Sequence, residues 1–293
     1  MLDSSIIRVA VTGSNGQLGT EFIRIAGNHP RFQFAFLSRE IFPLDDPKKM
    51  KAWLDQNPVD IFIHCAAYTA VDKAESEMEI AFRINGEAPG VIAALLSKNK
   101  TKLIYISTDY VFDGTSATPL TEHASTNPVN IYGASKLEGE RLVFQNNPLS
   151  QVIRTSWVYS SHGNNFVKTM IRLMEERESI NVVRDQTGSP TYAADLANAI
   201  MQILESNHFN PGIYHYSNEG ETTWFEFALE IKKLTGSACK VVPIPSSEFP
   251  TPAKRPAYSL LDKSKIRKEY NLFIPAWQAS LAICIDVLKK QGV

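Results

Sequence analysis

Ile6-Ile7-Arg8-Val9-Ala10-Val11-Thr12-Gly13-Ser14-Asn15-Gly16-Gln17-Leu18-Gly19 is an apolar run that ends in a glycine-rich turn. The run reads as a buried strand, and the residues after the turn, to about Ala26, as a helix. Gly13 and Gly16 permit a tight turn and a close backbone approach to a diphosphate, and Gly19 lets the helix pack closely on the strand. The helix N-terminus then offers free amides and a positive dipole to phosphate oxygens. The glycine spacing departs from the G-x-G-x-x-G form, so the strand–loop–helix context carries the reading as much as the spacing does. A dinucleotide site built from Gly13, Asn15, Gly16, Gln17, Leu18 and Gly19 is expected, with a ligand-free turn as the alternative.

The same alternation continues outward from this stretch. Phe32–Leu37 reads as a strand ending at Ser38-Arg39. Asp45-Asp46-Pro47 opens a helix, the aspartates suiting the cap and the proline the first turn. Strands are expected at 59–66, 102–107 and 151–155, and helices at 78–98 and from before Tyr132 to about Phe144. Short apolar strands alternating with longer helices define an α/β chain. They predict a Rossmann-type doubly wound parallel sheet with helices on both faces. Beyond about residue 160 the rhythm changes, with helices expected at 165–177, 193–204 and 223–234 and a strand at 213–217. Residues 1–160 are therefore expected to form mainly the dinucleotide-binding domain. Residues 161–293 are expected to form mainly a smaller C-terminal α/β substrate-binding region, with segments returning to the main sheet. The proline-rich stretch 243–256 is read as an ordered loop rather than a disordered linker, because regular pattern resumes after it.

A parallel sheet of this kind binds ligands at the carboxyl ends of its strands. Gly13, Ala67, Ser107, Thr108 and Trp157 all fall there and should converge on one crevice. Tyr132 and Lys136, four apart on a helix, face the same way. Beside a nicotinamide the ammonium could hold the phenol ready for proton transfer and lower its pKa from near ~10. Thr108 could share the substrate oxygen. A chance surface pair is the alternative for this common spacing.

At the end of the second strand an acid would bind the ribose hydroxyls of a dinucleotide, but the residues are Ser38 and Arg39. A cation there suits a 2′-phosphate and tilts the choice toward NADPH, with NADH as the alternative; Arg39 is equally open to a reading as a solvated charge. Asp45, after a further short strand, either faces the adenine or caps the next helix. Ala66, Ala67, Tyr68 and Thr69 let the backbone approach the cofactor. Asn85, among apolar neighbours, needs partners: it holds a strand or a relay water, or serves structure alone.

Composition bounds the remaining classes. The chain has 293 residues with 30 basic and 31 acidic side chains, so its formal charge of −1 gives no support to a nucleic-acid surface or polybasic membrane patch. Cys65, Cys239 and Cys284 are too few and scattered for a disulfide scaffold, which favours reduced thiols and a cytoplasmic setting. The first residues carry an acid before any apolar run and do not read as a leader. No apolar run reaches the length of a membrane span. The histidines show no zinc pattern, and His64 and Cys65 read as core residues.

Several motifs together resemble the extended short-chain dehydrogenase/reductase family, and within it the dTDP-4-dehydrorhamnose reductases, over nearly the whole length. They are Gly13–Gly19, Ala66–Glu75, Ser107-Thr108-Asp109-Tyr110-Val111-Phe112, Tyr132-Gly133-Ala134-Ser135-Lys136, Arg154–Tyr159, Gly163–Phe166, Gly188–Thr191 and Arg255-Pro256. The resemblance implies reduction of the 4-keto group of dTDP-4-dehydro-L-rhamnose by NADPH or NADH, giving dTDP-L-rhamnose for polysaccharide synthesis. It implies that Tyr132 donates the proton, Lys136 tunes it and holds the nicotinamide ribose, and Thr108 orients the carbonyl. It places Gly16, Gln17, Leu18, Asp45, Ala67, Tyr68 and Thr69 along the cofactor. Thr108, Asp109 and Trp157 fall to the sugar, and Asn164, Asn165 and Arg255 to further substrate contacts, Arg255 at the diphosphate. Related dehydratases carry Asp-Glu after this threonine, whereas Thr108 is followed by Asp109-Tyr110, which argues against dehydration. Some relatives bind Mg2+ through glutamates at a dimer interface. Glu21 matches one of them, but Ala194, beside Asp195, stands at the other, so no metal is expected. Monomer and homodimer both stay open. The rival readings are another nucleotide-sugar 4-reductase or epimerase, and a non-catalytic regulatory subunit on the same fold.

Overall fold

A computed structural model describes residues 6–206 and 208–292. The residues before Ile6, on which the reading of a leaderless start rests, lie outside it. Six strands form the main sheet: β1 (Ile7–Thr12), β2 (Phe32–Leu37), β3 (Ile61–His64), β4 (Lys102–Thr108), β5 (Gln151–Thr155) and β6 (Gly212–His215). Their order is β6-β5-β4-β3-β1-β2, and every pairing is parallel. Both faces are covered, which is why β1 and β3 read as continuous apolar runs rather than alternating ones. Val9, Val11 and Ile63 pack on one side against Phe22 of the glycine-loop helix (Gln17–Ile25) and Leu196 and Ile200 of the helix Ala193–Glu205. Ala10, Phe62 and Tyr105 pack on the other side against Ile92, Leu96 and Val143.

Local chemistry sets the ends of these elements. Asp46 accepts the Lys49 amide at 3.1 Å and Pro47 occupies the first turn of the helix Pro47–Gln56, so of the two aspartates Asp46 is the cap. The short strand expected before Asp45 is not formed: residues 38–46 run as turns, with the Phe42 amide bonded to the Ser38 carbonyl. The expected helix 78–98 is continuous in direction but carries a π-helical turn at Arg83–Glu87. That turn leaves the Asn85 carbonyl free to accept the Tyr105 hydroxyl at 2.9 Å. Such insertions recur at functional sites.

A second core gathers Val167, Phe227, Trp277 and Leu281 from the C-terminal half. It carries a two-stranded parallel ladder, Ser179–Val183 with Lys240–Ile244, and the helix Trp277–Lys290, whereas the helix Ser264–Tyr270 packs Ile266 and Tyr270 into the core of the main sheet. The proline-rich stretch lies against the main body: Ala253 is fully buried, and its amide donates to Asp72 at 3.2 Å. Among the described residues no helix is long and apolar enough to cross a membrane, and the three cysteines are unbonded.

Candidate active site

The β1 turn is built so that two glycines touch. Gly13 has φ +70°, and a Cβ there would lie 2.9 Å from the Ala66 nitrogen. A Cβ on Gly19 would lie 2.2 Å from the Gly13 carbonyl oxygen. The helix therefore starts against the strand end, leaving its first amides open as an anion cradle. Gly19→Ala is expected to push the helix off the turn and weaken binding of a reduced nicotinamide dinucleotide by about tenfold or more, by fluorescence titration.

This cradle is one wall of a cleft of about 900 Å3. Gly13, Asn15, Gly16, Gln17 and Leu18 line it, as do Arg39 and Asp45 at one end and Tyr132, Lys136 and Asn164 at the other. Ala66, Ala67, Tyr68 and Thr69 line it beside the turn, with the Ala66 backbone packed against Gly13. Gly19 stands behind the turn. Arg39 and Asp45 sit 3.8 Å apart as an exposed ion pair, with Arg39 83% exposed. Asn85 serves the wall itself. Its Oδ1 accepts the Tyr68 amide at 2.8 Å, and its Nδ2 donates to the Tyr68 carbonyl at 3.0 Å and the Ser135 hydroxyl at 3.1 Å. The amide thus ties the loop after β3 to the helix Ile131–Asn146, which carries Tyr132 and Lys136.

That helix is capped by Asn130, whose side chain accepts the Gly133 amide at 2.8 Å. Lys136 is buried. Its Nζ donates to the Ile106 carbonyl at 2.8 Å and lies 4.0 Å from the Tyr105 ring centre. Burial pulls the Lys136 pKa down to about 7, opposed by the Glu140 carboxylate. Half-buried Tyr132 meets Tyr110 edge-on at 5.6 Å. Burial pushes the Tyr132 phenol up to about 12, although a hydrogen bond with the Thr108 hydroxyl favours the phenolate. The expected lowering by Lys136 is not found: the ammonium is engaged with the Ile106 carbonyl and the Tyr105 face, and desolvation dominates at the phenol.

Thr108 ends β4. Its hydroxyl donates to Asp109 Oδ1 at 3.1 Å and accepts the Tyr110 amide at 3.2 Å. Burial raises Asp109 to about 6, against the Ser259 and Thr108 hydroxyls that favour its charged form. Trp157 holds a left-handed backbone, φ +48°, and stacks on Trp224 with ring centres 3.6 Å apart. A bulky residue in that region is costly and persists only where its surroundings hold it.

Two expected substrate residues have protein partners. Asn165 Oδ1 caps the Lys168 amide at 3.1 Å, and its Nδ2 donates to Gln17 Oε1 at 3.0 Å and to the Ser160 carbonyl at 2.7 Å. Arg255 forms a fork with Asp72, Nη2 to Oδ2 at 2.7 Å, and also donates to the Ala253 carbonyl at 2.7 Å. Cys65, read as core, lines the cleft; His64 is core, its Nδ1 2.8 Å from the Thr12 hydroxyl. The Glu21 carboxylate is taken by the Ser160 hydroxyl and the Arg24 guanidinium, both at 2.8 Å. Ala194 stands at the other matching position, and the described residues of this chain hold no cluster of three or more His, Cys, Asp or Glu. Glu140, which the sequence reading did not single out, accepts from the strand-end Ser107 hydroxyl and from the Arg154 guanidinium. The spacing Tyr132-x-x-x-Lys136-x-x-x-Glu140 puts all three on one helix face and could have flagged the glutamate.

A parallel sheet with an anion cradle after β1 and a Tyr–Lys pair beside the end of β4 defines a short-chain dehydrogenase/reductase-type oxidoreductase. The profile of the RmlD substrate binding domain family matches residues 7–290. The dTDP-4-dehydrorhamnose reductase of Burkholderia thailandensis is 37% identical over 97% of this chain and 100% of its own. A dTDP-4-keto-6-deoxy-D-glucose reductase of Streptomyces niveus is 33% identical, covering 96% of this chain and 97% of its own. A dTDP-4-dehydrorhamnose reductase of Bacillus anthracis, solved in complex with NADP, superposes with a TM-score of 0.92 at 38% identity, covering 96% of this chain and 99% of the other. The chain belongs to the dTDP-4-dehydrorhamnose reductase family, and it is an NAD(P)-dependent oxidoreductase.

Proposed function

We propose that the chain reduces the 4-keto group of dTDP-4-dehydro-L-rhamnose to dTDP-L-rhamnose, with NADPH preferred over NADH. The observation that carries the reading is the single cleft that has the glycine cradle along one wall and Tyr132 with Lys136 at one end. The cradle fits a dinucleotide, because the space a Cβ would fill at Gly13 and Gly19 is where the turn closes on itself. Gly13, Asn15, Gly16, Gln17, Leu18 and Gly19 would hold the diphosphate, Arg39 and Asp45 the adenosine end, and Ala66, Ala67, Tyr68 and Thr69 the span toward the nicotinamide. The bound cofactor supplies the hydride that adds to C4 of the sugar.

Tyr132 supplies the balancing proton. As the keto carbon gains the hydride, the C=O π pair takes the phenolic proton and the 4-hydroxyl forms. A phenol held at about 12 is fully protonated at neutral pH, which suits a donor in the reductive direction. Lys136, charged, stabilises the phenolate left behind and holds the ribose. Solvent then returns the proton to Tyr132. Thr108 hydrogen-bonds the same substrate oxygen, Asp109 and Trp157 bound the sugar, and Asn164, Asn165 and Arg255 complete the substrate side. For Arg255 to meet a diphosphate it would exchange Asp72 for an equally planar, bidentate anion. Residues 1–160 would mainly serve the cofactor and 161–293 mainly the substrate, in a cytoplasmic setting that keeps the thiols reduced.

Purified chain mixed with NADPH and enzymatically generated dTDP-4-dehydro-L-rhamnose should lose absorbance at the reduced-nicotinamide band. No oxidation with either nicotinamide would sink the reading. The Streptomyces niveus relative favours a second reading, reduction of the D-configured 4-keto sugar; dTDP-4-dehydro-6-deoxy-D-glucose supplied alone tests it. Arg39→Ala should raise KM for NADPH by about tenfold while leaving NADH within about twofold, since only the former carries the 2′-phosphate. Equal effects on both cofactors would make Arg39 a solvated charge.

A further inference from the structure

Behind the catalytic helix lies a buried ion pair that the reaction above does not use. Glu140 and Arg154 are both buried, with Arg154 Nη2 2.7 Å and Nε 2.9 Å from the carboxylate oxygens. The Ser107 hydroxyl donates to Glu140 Oε1 at 2.5 Å. One turn earlier on the same helix, Lys136 donates to the carbonyl of Ile106. Two successive turns of the helix therefore grip two successive residues of β4, and the next residue of that strand is Thr108. The bonds that seat Lys136 and Glu140 also set where Thr108 stands relative to Tyr132.

We propose that Glu140 is a positioning residue for Lys136: its carboxylate, fixed by Ser107 and Arg154, keeps the buried ammonium charged and holds the catalytic helix in register with the end of β4. The inference rests on the reductase reading. A charged amine in this interior needs an anion nearby. The groups that face Lys136 are Tyr132 and Glu140 on its own helix, His64 and Cys65 at the end of β3, and Tyr105 on β4, with Arg154 on β5 beyond the carboxylate. His64 is neutral, burial having pulled it down to about 3. Burial pushes the Cys65 thiol and the Tyr105 phenol well up, and Tyr132 lies at about 12, so all three are protonated at neutral pH. Glu140 is thus the anion of this set. Arg154, through Nε and Nη2, holds that carboxylate in place beside Ser107.

Glu140→Gln keeps the shape and removes the charge. Burial then acts on Lys136 without its counterweight, so the amine loses its proton at lower pH. Competitive labelling of the free enzyme with acetic anhydride, read by peptide mapping, should show Lys136 titrating about one pH unit lower than in wild type. The alkaline limb of kcat/KM should move acidward by the same amount, because this parameter reports groups of the free enzyme. Glu140→Asp, which retains the charge, should restore the limb even where kcat stays reduced. An unmoved labelling curve with turnover lowered equally at every pH would overturn the proposal, leaving Glu140 a structural brace. Should E140Q not fold, Glu140→Leu combined with Arg154→Met leaves no uncompensated charge, and the same acidward shift is expected. Wild-type protein that turns over no keto sugar, with the labelling shift intact, contradicts the reductase reading and supports the seating of Lys136.

Discussion

Tyr132→Phe is expected to lower kcat by about 10^3-fold and leave the NADPH dissociation constant within about twofold of wild type. The substitution removes one hydroxyl and nothing else. The ring keeps its edge-on contact with Tyr110, and Lys136 keeps its bond to the Ile106 carbonyl. What goes is the proton that balances the hydride, together with the hydrogen bond to Thr108. Because that proton moves only in the transition state, the loss belongs in kcat rather than in cofactor binding. Single-turnover rates with NADPH prebound separate the two effects. A variant with normal turnover would mean that another group supplies the proton.

Lys136→Ala should be as damaging to kcat and should in addition weaken NADPH binding by about tenfold. Three things are lost together: the charge that stabilises the departing phenolate, the proposed ribose contact, and a long side chain buried against the Tyr105 ring. The Ile106 carbonyl is left without its donor in a buried position, which also costs stability. The pH dependence has a definite sign. Wild-type Lys136 is pulled down to about 7 in the free enzyme, so rate that depends on the ammonium is full below that pH and lost as pH rises through it. The residual rate of the alanine variant should lack this limb. A limb that persists unchanged would assign it to another group.

The parts of this fold legible in sequence are those decided within a short window. Val9 to Thr12 announces a fully buried parallel strand, and Gly13 and Gly19 announce the turn because side chains cannot exist where their backbones meet. The Tyr132–Lys136 spacing needs only one helical turn to read. The cap before Pro47 likewise follows from local chemistry, though only Asp46 takes the role.

The features that escaped are those created by pairing across long separations. Val158–Tyr159 and Thr191–Tyr192 form a two-residue ladder that no periodicity reveals. Asn165 shares its side-chain amide between a helix cap and Gln17, far off in sequence, a tie that no local pattern shows. Arg255 meets Asp72 across the molecule, which composition cannot anticipate. The displaced pKa of Tyr132 escaped for a related reason: spacing shows that an ammonium is near, whereas desolvation depends on everything packed around the ring.

The central claim is that Tyr132 and Lys136 serve hydride reduction of a nucleotide-linked 4-keto sugar. The most direct measurement supplies dTDP-4-dehydro-L-rhamnose and NADPH deuterated at the transferable position of nicotinamide, then reads the sugar product by proton and deuterium NMR. The account predicts dTDP-L-rhamnose with deuterium bonded to C4. A sugar without deuterium at C4, or the 4-epimeric product, would contradict it.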